Sequence, residues 1–164
     1  RSNTSNFLGL LTREGTIIEV NQTALDFTRV DKSEVIQSPF HKTAWWREDI
    51  DVQNRLSQSI ARASKGEHVR YETTHKNYKD ETRIIDFSLK PVYNRNNEIV
   101  YIAAEGRDIT EHKKIEQEIR ESEEKFRLLI ENTPAVVWST SEKGETNYIS
   151  PNIKQLYGFS AKEI

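Results

Sequence analysis

The sequence predicts an α+β module in which an antiparallel sheet carries its helices on one face, followed by a long connector helix and the opening of a second module. Three observations predict it. Short apolar runs stand two before and three after a pair of helical stretches, the third and fourth of them with a period of two, and segregated strands and helices of this kind suit an antiparallel sheet. Residues 111–131 contain neither Gly nor Pro and are rich in helix formers. Beyond them the opening pattern starts again.

Taken in order, Phe7–Thr12 and Thr16–Val20 are apolar runs joined by Arg13, Glu14 and Gly15, a hairpin signal with Gly free to take a positive φ. Asn21 can cap a short helix bearing Ala24, Leu25 and Phe27 on one side, and Asp31, Ser33, Ser38 and Pro39 then predict irregular backbone. Residues 40–46, Phe-His-Lys-Thr-Ala-Trp-Trp, bring three large aromatics into seven positions. A second helix is expected from Asp49 or Asp51 to about Lys65, with Ile50, Leu56, Ile60 and Ala63 as its apolar stripe and Gly66 as its stop. The period then changes to two: Val69, Tyr71, Thr73 and His75 alternate with charged residues, and Ile85, Phe87 and Leu89 alternate with Asp86, Ser88 and Lys90. Ile99–Ala104 is the fifth strand, after the turn-rich 94–97. A pocket, on this reading, lies between the apolar sheet face and the aromatic helical segment.

The connector would be roughly 30 Å long at 1.5 Å per residue. Thr110 is placed as its N-cap hydroxyl and Pro134 marks its end. His112, Ile115, Ile119, Ser122, Phe126 and Leu129 trace an a/d seam, flanked by the i,i+4 pairs Glu116–Arg120, Glu121–Lys125 and Glu123–Arg127. A parallel in-register pair would set Glu111 against Glu116 and Glu118 against Glu123, so a strong parallel coiled coil is not expected. After it, 135–140 and 146–150 around Gly144 repeat the first hairpin, with Ser150 in the place of Asn21 and 151–159 in that of the first helix. The expected division is therefore 1–110, 111–133 and 134–164.

With 164 residues, 35% hydrophobic and 30% charged, and a net charge of −2, nothing points to a nucleic-acid or anionic-membrane partner. The absence of cysteine excludes disulfides, thiolate metal sites, cysteine nucleophiles and cysteine-dependent photochemistry. No apolar run approaches the ~18 residues of a membrane span, and no signal-peptide pattern opens the chain. The expected location is cytoplasmic, with membrane association of a longer parent left open.

Four motifs resemble the PAS sensory domains of bacterial and archaeal sensor histidine kinases: Glu-Gly-Thr-Ile-Ile-Glu-Val-Asn at 14–21, Pro-Phe-His-Lys-Thr-Ala-Trp-Trp at 39–46, Glu-Gly-Arg-Asp-Ile-Thr at 105–110 and Glu-Ser-Glu-Glu-Lys-Phe-Arg-Leu-Leu-Ile-Glu-Asn-Thr-Pro at 121–134. The third resembles the strand end of a PAS module feeding its signalling helix, the fourth the entry to a next module. The resemblance implies a PAS fold with sheet order 2-1-5-4-3, a small-molecule pocket, and a junction at Gly106, Asp108 and Thr110. It implies as partners the other PAS and kinase domains of the same chain and a homodimer. A ligand-free interaction or dimerisation module, and a module regulating a cyclic-nucleotide enzyme, stay open as alternatives.

The residues themselves offer no catalytic constellation and no metal set. Candidate pocket residues are Phe40, His41, Trp45, Trp46, Leu56, Ile60, Tyr71, Thr73, Ile85, Phe87 and Leu89. Trp45 and Trp46 could stack a non-covalent flavin or a small organic ligand, against the plainer reading of core or lid packing. Haem is disfavoured because the helix expected over 49–65 holds no histidine. His68 and His75, seven apart on one strand, face opposite ways and read as surface residues; His41 reads as structural. The sequence requires no cofactor.

Overall fold

The computed structural model describes residues 6–158, 160 and 162, and these fall into two compact units that divide between Glu111 and His112. The first is a five-stranded antiparallel sheet in the order β2-β1-β5-β4-β3, as the resemblance implies, built from β1 (Phe7–Leu11), β2 (Ile17–Val20), β3 (Val69–Lys76), β4 (Thr82–Tyr93) and β5 (Ile99–Asp108). Between β2 and β3 the chain forms α1 (Gln22–Thr28), α2 (Lys32–Val35), a 3-10 turn over Phe40–Lys42, and α3 (Ile50–Ala63).

Local chemistry accounts for these boundaries. Gly15 takes φ +88° in the β1–β2 turn, where a Cβ would sit 2.9 Å from Ile60 Cδ1. Asn21 caps α1 by accepting from Ala24 N–H, and the same carboxamide oxygen accepts from Leu8 N–H on β1, so the cap also ties helix to sheet. Asp49 caps α3, accepting from the N–H groups of Asp51 and Val52. Residues 32–35, expected to be irregular, are helical because Asp31 and Glu34 form a reciprocal capping box.

The inward residues of β3 and β4 follow the expected period of two: Val69, Thr73, Ile85, Phe87 and Leu89 are buried. With Leu11, Ile17, Leu56, Ile60 and Ile102 they form one core, each fully buried aliphatic side chain contributing about 1.5–3 kcal/mol over exposure. Ile50 does not belong to this core. It is 65% exposed, and Val52 packs against the core in its stead, because Val52 and not Ile50 falls on the helix face of Leu56, Ile60 and Ala63.

The second unit contains most of α4 (Thr110–Asn132), then β6 (Trp138–Thr140), β7 (Thr146–Ile149) and α5 (Ile153–Tyr157). Its hairpin copies the first hairpin bond for bond. Pairs Gly9–Val20, Leu10–Glu19 and Leu11–Ile17 become Trp138–Ile149, Ser139–Tyr148 and Thr140–Thr146, displaced by one constant step, with the register shift at the same place. Thr12 N–H donates to Thr16 O at 2.8 Å and Ser141 N–H to Glu145 O at 2.7 Å. Even the left-handed helix ends correspond, Arg29 with φ 54° and Gly158 with φ 81°. Phe159, which the sequence places after this helix, lies outside the described residues. Along α4, Arg127 pairs with Glu124 and Glu121 with Gln117, instead of with Glu123 and Lys125. Ile115, Ile119, Phe126 and Leu129 of the seam are exposed. Among the described residues no helix is long and apolar enough to cross a membrane.

Candidate functional site: an apolar cavity and a strand–helix clasp

A cavity of about 70 Å³ opens between α1, the aromatic segment and the inner face of β1, β2, β4 and β5. It exists because β1 presents Phe7, Gly9 and Leu11 to that face, and Gly9 has no side chain to fill the space between its neighbours. Ile17, Val20, Ala24, Phe27, Phe40, Trp45, Trp46, Ile85, Phe87 and Ala104 supply the rest of an almost wholly apolar wall. The aromatic rings lock one another edge to face, with centroids 5.1 Å apart for Phe7–Phe27, 5.3 Å for Phe40–Trp46 and 4.9 Å for Trp46–Phe87.

Trp45 and His75 add polar order to this wall. Trp45 Nε1–H donates to Ala24 O at 3.0 Å, pinning the aromatic segment on α1. His75 Nδ1 lies 2.6 Å from Trp45 O. A carbonyl can only accept, so the proton sits on Nδ1. Burial lowers the His75 pKa below its ordinary value, partly offset by that carbonyl, so the imidazole is held neutral. His75 is thus a cavity-lining residue and not the surface residue the sequence suggests. On β3 it falls in phase with the buried Val69 and Thr73, and the Trp45 carbonyl, thirty positions away, offsets part of the cost of burying it.

The cavity gathers Phe40, Trp45, Trp46, Ile85 and Phe87 from the expected pocket, and Gly106 from the expected junction. The others stand elsewhere. Leu56, Ile60 and Leu89 are buried where α3 crosses the sheet, and close packing there leaves no space beside them. Tyr71 lies under the Arg55 guanidinium, 3.9 Å from its ring centroid, and burial raises its phenol pKa. Thr73 is buried on β3, and His41 lies on the 3-10 turn outside the lining. The sequence missed Phe7, Gly9 and Phe27, because β1 and α1 sit far from the Trp pair along the chain.

Where β5 hands over to α4, five residues form a clasp. Asp108 Oδ1 accepts from Thr110 N–H at 2.9 Å and from Thr110 Oγ1–H at 2.6 Å, while Asp108 Oδ2 accepts from Arg83 Nε–H at 2.8 Å. Thr110 Oγ1 accepts in turn from Ile84 N–H on β4 at 2.8 Å, and Ile109 N–H donates to Ile84 O at 2.9 Å. Thr110 is therefore the first residue of α4 and not its N-cap: its hydroxyl is spent on β4, and Asp108 takes over the capping. Burial would raise the Asp108 pKa, but hydrogen bonds from Thr110 and Arg83 outweigh it and hold the carboxyl below its ordinary range. Gly106, two residues upstream, has Ile85 Cγ2 and Phe7 Cδ2 each 3.1 Å from where a Cβ would be, so a larger residue there would push these cavity walls back by a few tenths of an ångström.

Comparison with known proteins agrees with this architecture. The family model described as "PAS fold" matches residues 2–114, and the chain belongs to that family. The sensor histidine kinase TmoS of Ectopseudomonas mendocina is 38% identical over 130 residues, covering 76% of this chain and 13% of TmoS. Hybrid signal transduction histidine kinase D of Dictyostelium discoideum is 35% identical over 127 residues, covering 76% of this chain and 8% of that kinase. The chain thus spans only a small part of the length of these relatives. Among solved structures, the PAS domain of the Cronobacter turicensis quorum-sensing receptor RpfR in complex with BDSF superposes with a TM-score of 0.53 at 21% identity, covering 66% of this chain and 98% of that one. This last likeness speaks to the fold.

Proposed function

We propose that the chain is a sensory and signal-relay piece of a multidomain sensor histidine kinase, in which a small apolar molecule occupies the cavity and α4 carries the result to the next domain. The observation that carries this reading is the direct continuity between cavity wall and clasp. Ile85 lines the cavity and follows Arg83 and Ile84 on β4; Gly106 lines it and precedes Asp108 on β5. An occupant that displaces Ile85 or Gly106 acts within two residues of the groups that fix the start of α4. The kinase names of the relatives support the output, and the repeated hairpin supports 134–164 as the start of a second PAS module after a linker over 111–133. Partners are then the other PAS and kinase domains of the same chain, and the cytoplasm is the location this reading expects. A cavity of about 70 Å³ has no room for a flavin, and it is about half the roughly 150 Å³ that accommodates benzene, so a ring of that size enters only by moving the aromatic walls apart. The ligand class is accordingly a compact organic molecule.

A second reading, a ligand-free interaction module, is favoured by the exposed apolar seam of α4. Titration with benzene and cyclohexane separates the two, read by fluorescence of Trp45 and Trp46, by thermal unfolding and by hydrogen exchange at the Ile84 and Thr110 amides. A ligand at a hundred times its Kd stabilises by about 2.7 kcal/mol. The sensory reading expects stabilisation together with changed exchange at the clasp; a thermal midpoint and fluorescence indifferent to both compounds up to saturation leave only the interaction module.

A further inference from the structure

Among the described residues, one residue of the cavity wall, Trp46, carries a buried hydrogen-bond donor with no partner. This indole is 4% exposed and lines the cavity, yet its Nε1–H has no hydrogen-bond partner. Its neighbour Trp45 shows what the fold normally supplies, a carbonyl at 3.0 Å. Buried donors left unmade are rare in folded proteins, and an indole N–H can only donate, so the missing partner is an acceptor. Water answers this poorly, because a buried water needs two to four polar partners and these walls are almost wholly apolar. A pure hydrocarbon fills the space but leaves the N–H unmet. An anion would give up its water to an almost wholly apolar wall whose lining residues include no Lys or Arg.

Building on the reading of the cavity as a ligand site, we infer that its natural occupant is a compact, uncharged, largely apolar molecule carrying one hydrogen-bond acceptor, a carbonyl or ether oxygen, received by Trp46 Nε1–H. The rings of Phe7, Phe27 and Phe40 take up its apolar body. Recognition rests on a single directional bond inside a hydrophobic enclosure, so it distinguishes molecules of equal shape by whether the acceptor is present.

The test uses an isosteric pair, cyclopentanone and methylenecyclopentane, with the chain as it stands and its Trp46→Phe variant. In the unaltered chain the Trp46 indole N–H resonance moves downfield with the ketone and not with the hydrocarbon. The ratio of the two dissociation constants shifts about tenfold against the ketone on going to Trp46→Phe, while hydrocarbon affinity holds. Binding of both compounds with an unchanged ratio, or the same resonance shift with each, overturns the acceptor inference and leaves the cavity reading intact. Binding of neither overturns both. Should Trp46→Phe fail to fold, the resonance measurement on the unaltered chain still decides.

Discussion

At the scale of single residues, Asp108 and His75 show how burial and partners set opposite charge states a short way apart. The Asp108 carboxyl is depressed below its unfolded value, so its stabilising contribution is fully present above about pH 4 and is lost as the pH falls through the folded value. Asp108→Ala, which strips Arg83 and Thr110 of their shared acceptor, is expected to cost about 2–3 kcal/mol at neutral pH and to flatten the acid limb of the urea-midpoint profile. A steep acid limb surviving in the variant counts against this assignment. His75 titrates higher. Its folded pKa is also depressed, so its contribution is present above about pH 6.5 and is lost as the pH drops below that value. His75→Gln should therefore shallow the stability slope just below pH 6.5, measured by denaturant unfolding at closely spaced pH values.

At the scale of elements, short-range chemistry was legible in the sequence and long-range occupation of space was not. The Gly15 turn, the Asn21 and Asp49 caps and the alternation of β3 and β4 all follow from interactions spanning a few residues. Gly15→Ala should cost about 1–3 kcal/mol in urea unfolding, since it adds a strained positive φ to a methyl group pressed against Ile60; a neutral result would mean that the turn relaxes freely. Ile50 was misassigned because at 100° per residue it lies off the stripe of Leu56, Ile60 and Ala63, where Val52 falls instead. Thr110 was misread for a related reason. Its hydroxyl has the right spacing to cap a helix, and the competing donor, Ile84 N–H, arrives from twenty-six positions away. The sequence likewise pointed to the pocket's aromatic roof at Trp45 and Trp46, but its floor depends on β1 lying between β2 and β5.

For the whole molecule, the two hairpins raise a question of assembly. They share backbone geometry so closely that β6 could in principle take the seat of β1 beside β5, an error to which tandem repeats are prone. Side chains decide against it. Trp138 corresponds to Gly9, whose missing side chain leaves the cavity open and whose Cβ position is already 3.8 Å from the Cβ of Ala104. An indole there would have to enter a space of about 70 Å³ walled by Phe27, Phe40 and Trp46. Thr140, in the position of the fully buried Leu11, would bring a hydroxyl into the driest part of the core. The small residue that leaves the cavity open thus also discriminates between the two hairpins, admitting its own and turning away the copy that follows it along the chain.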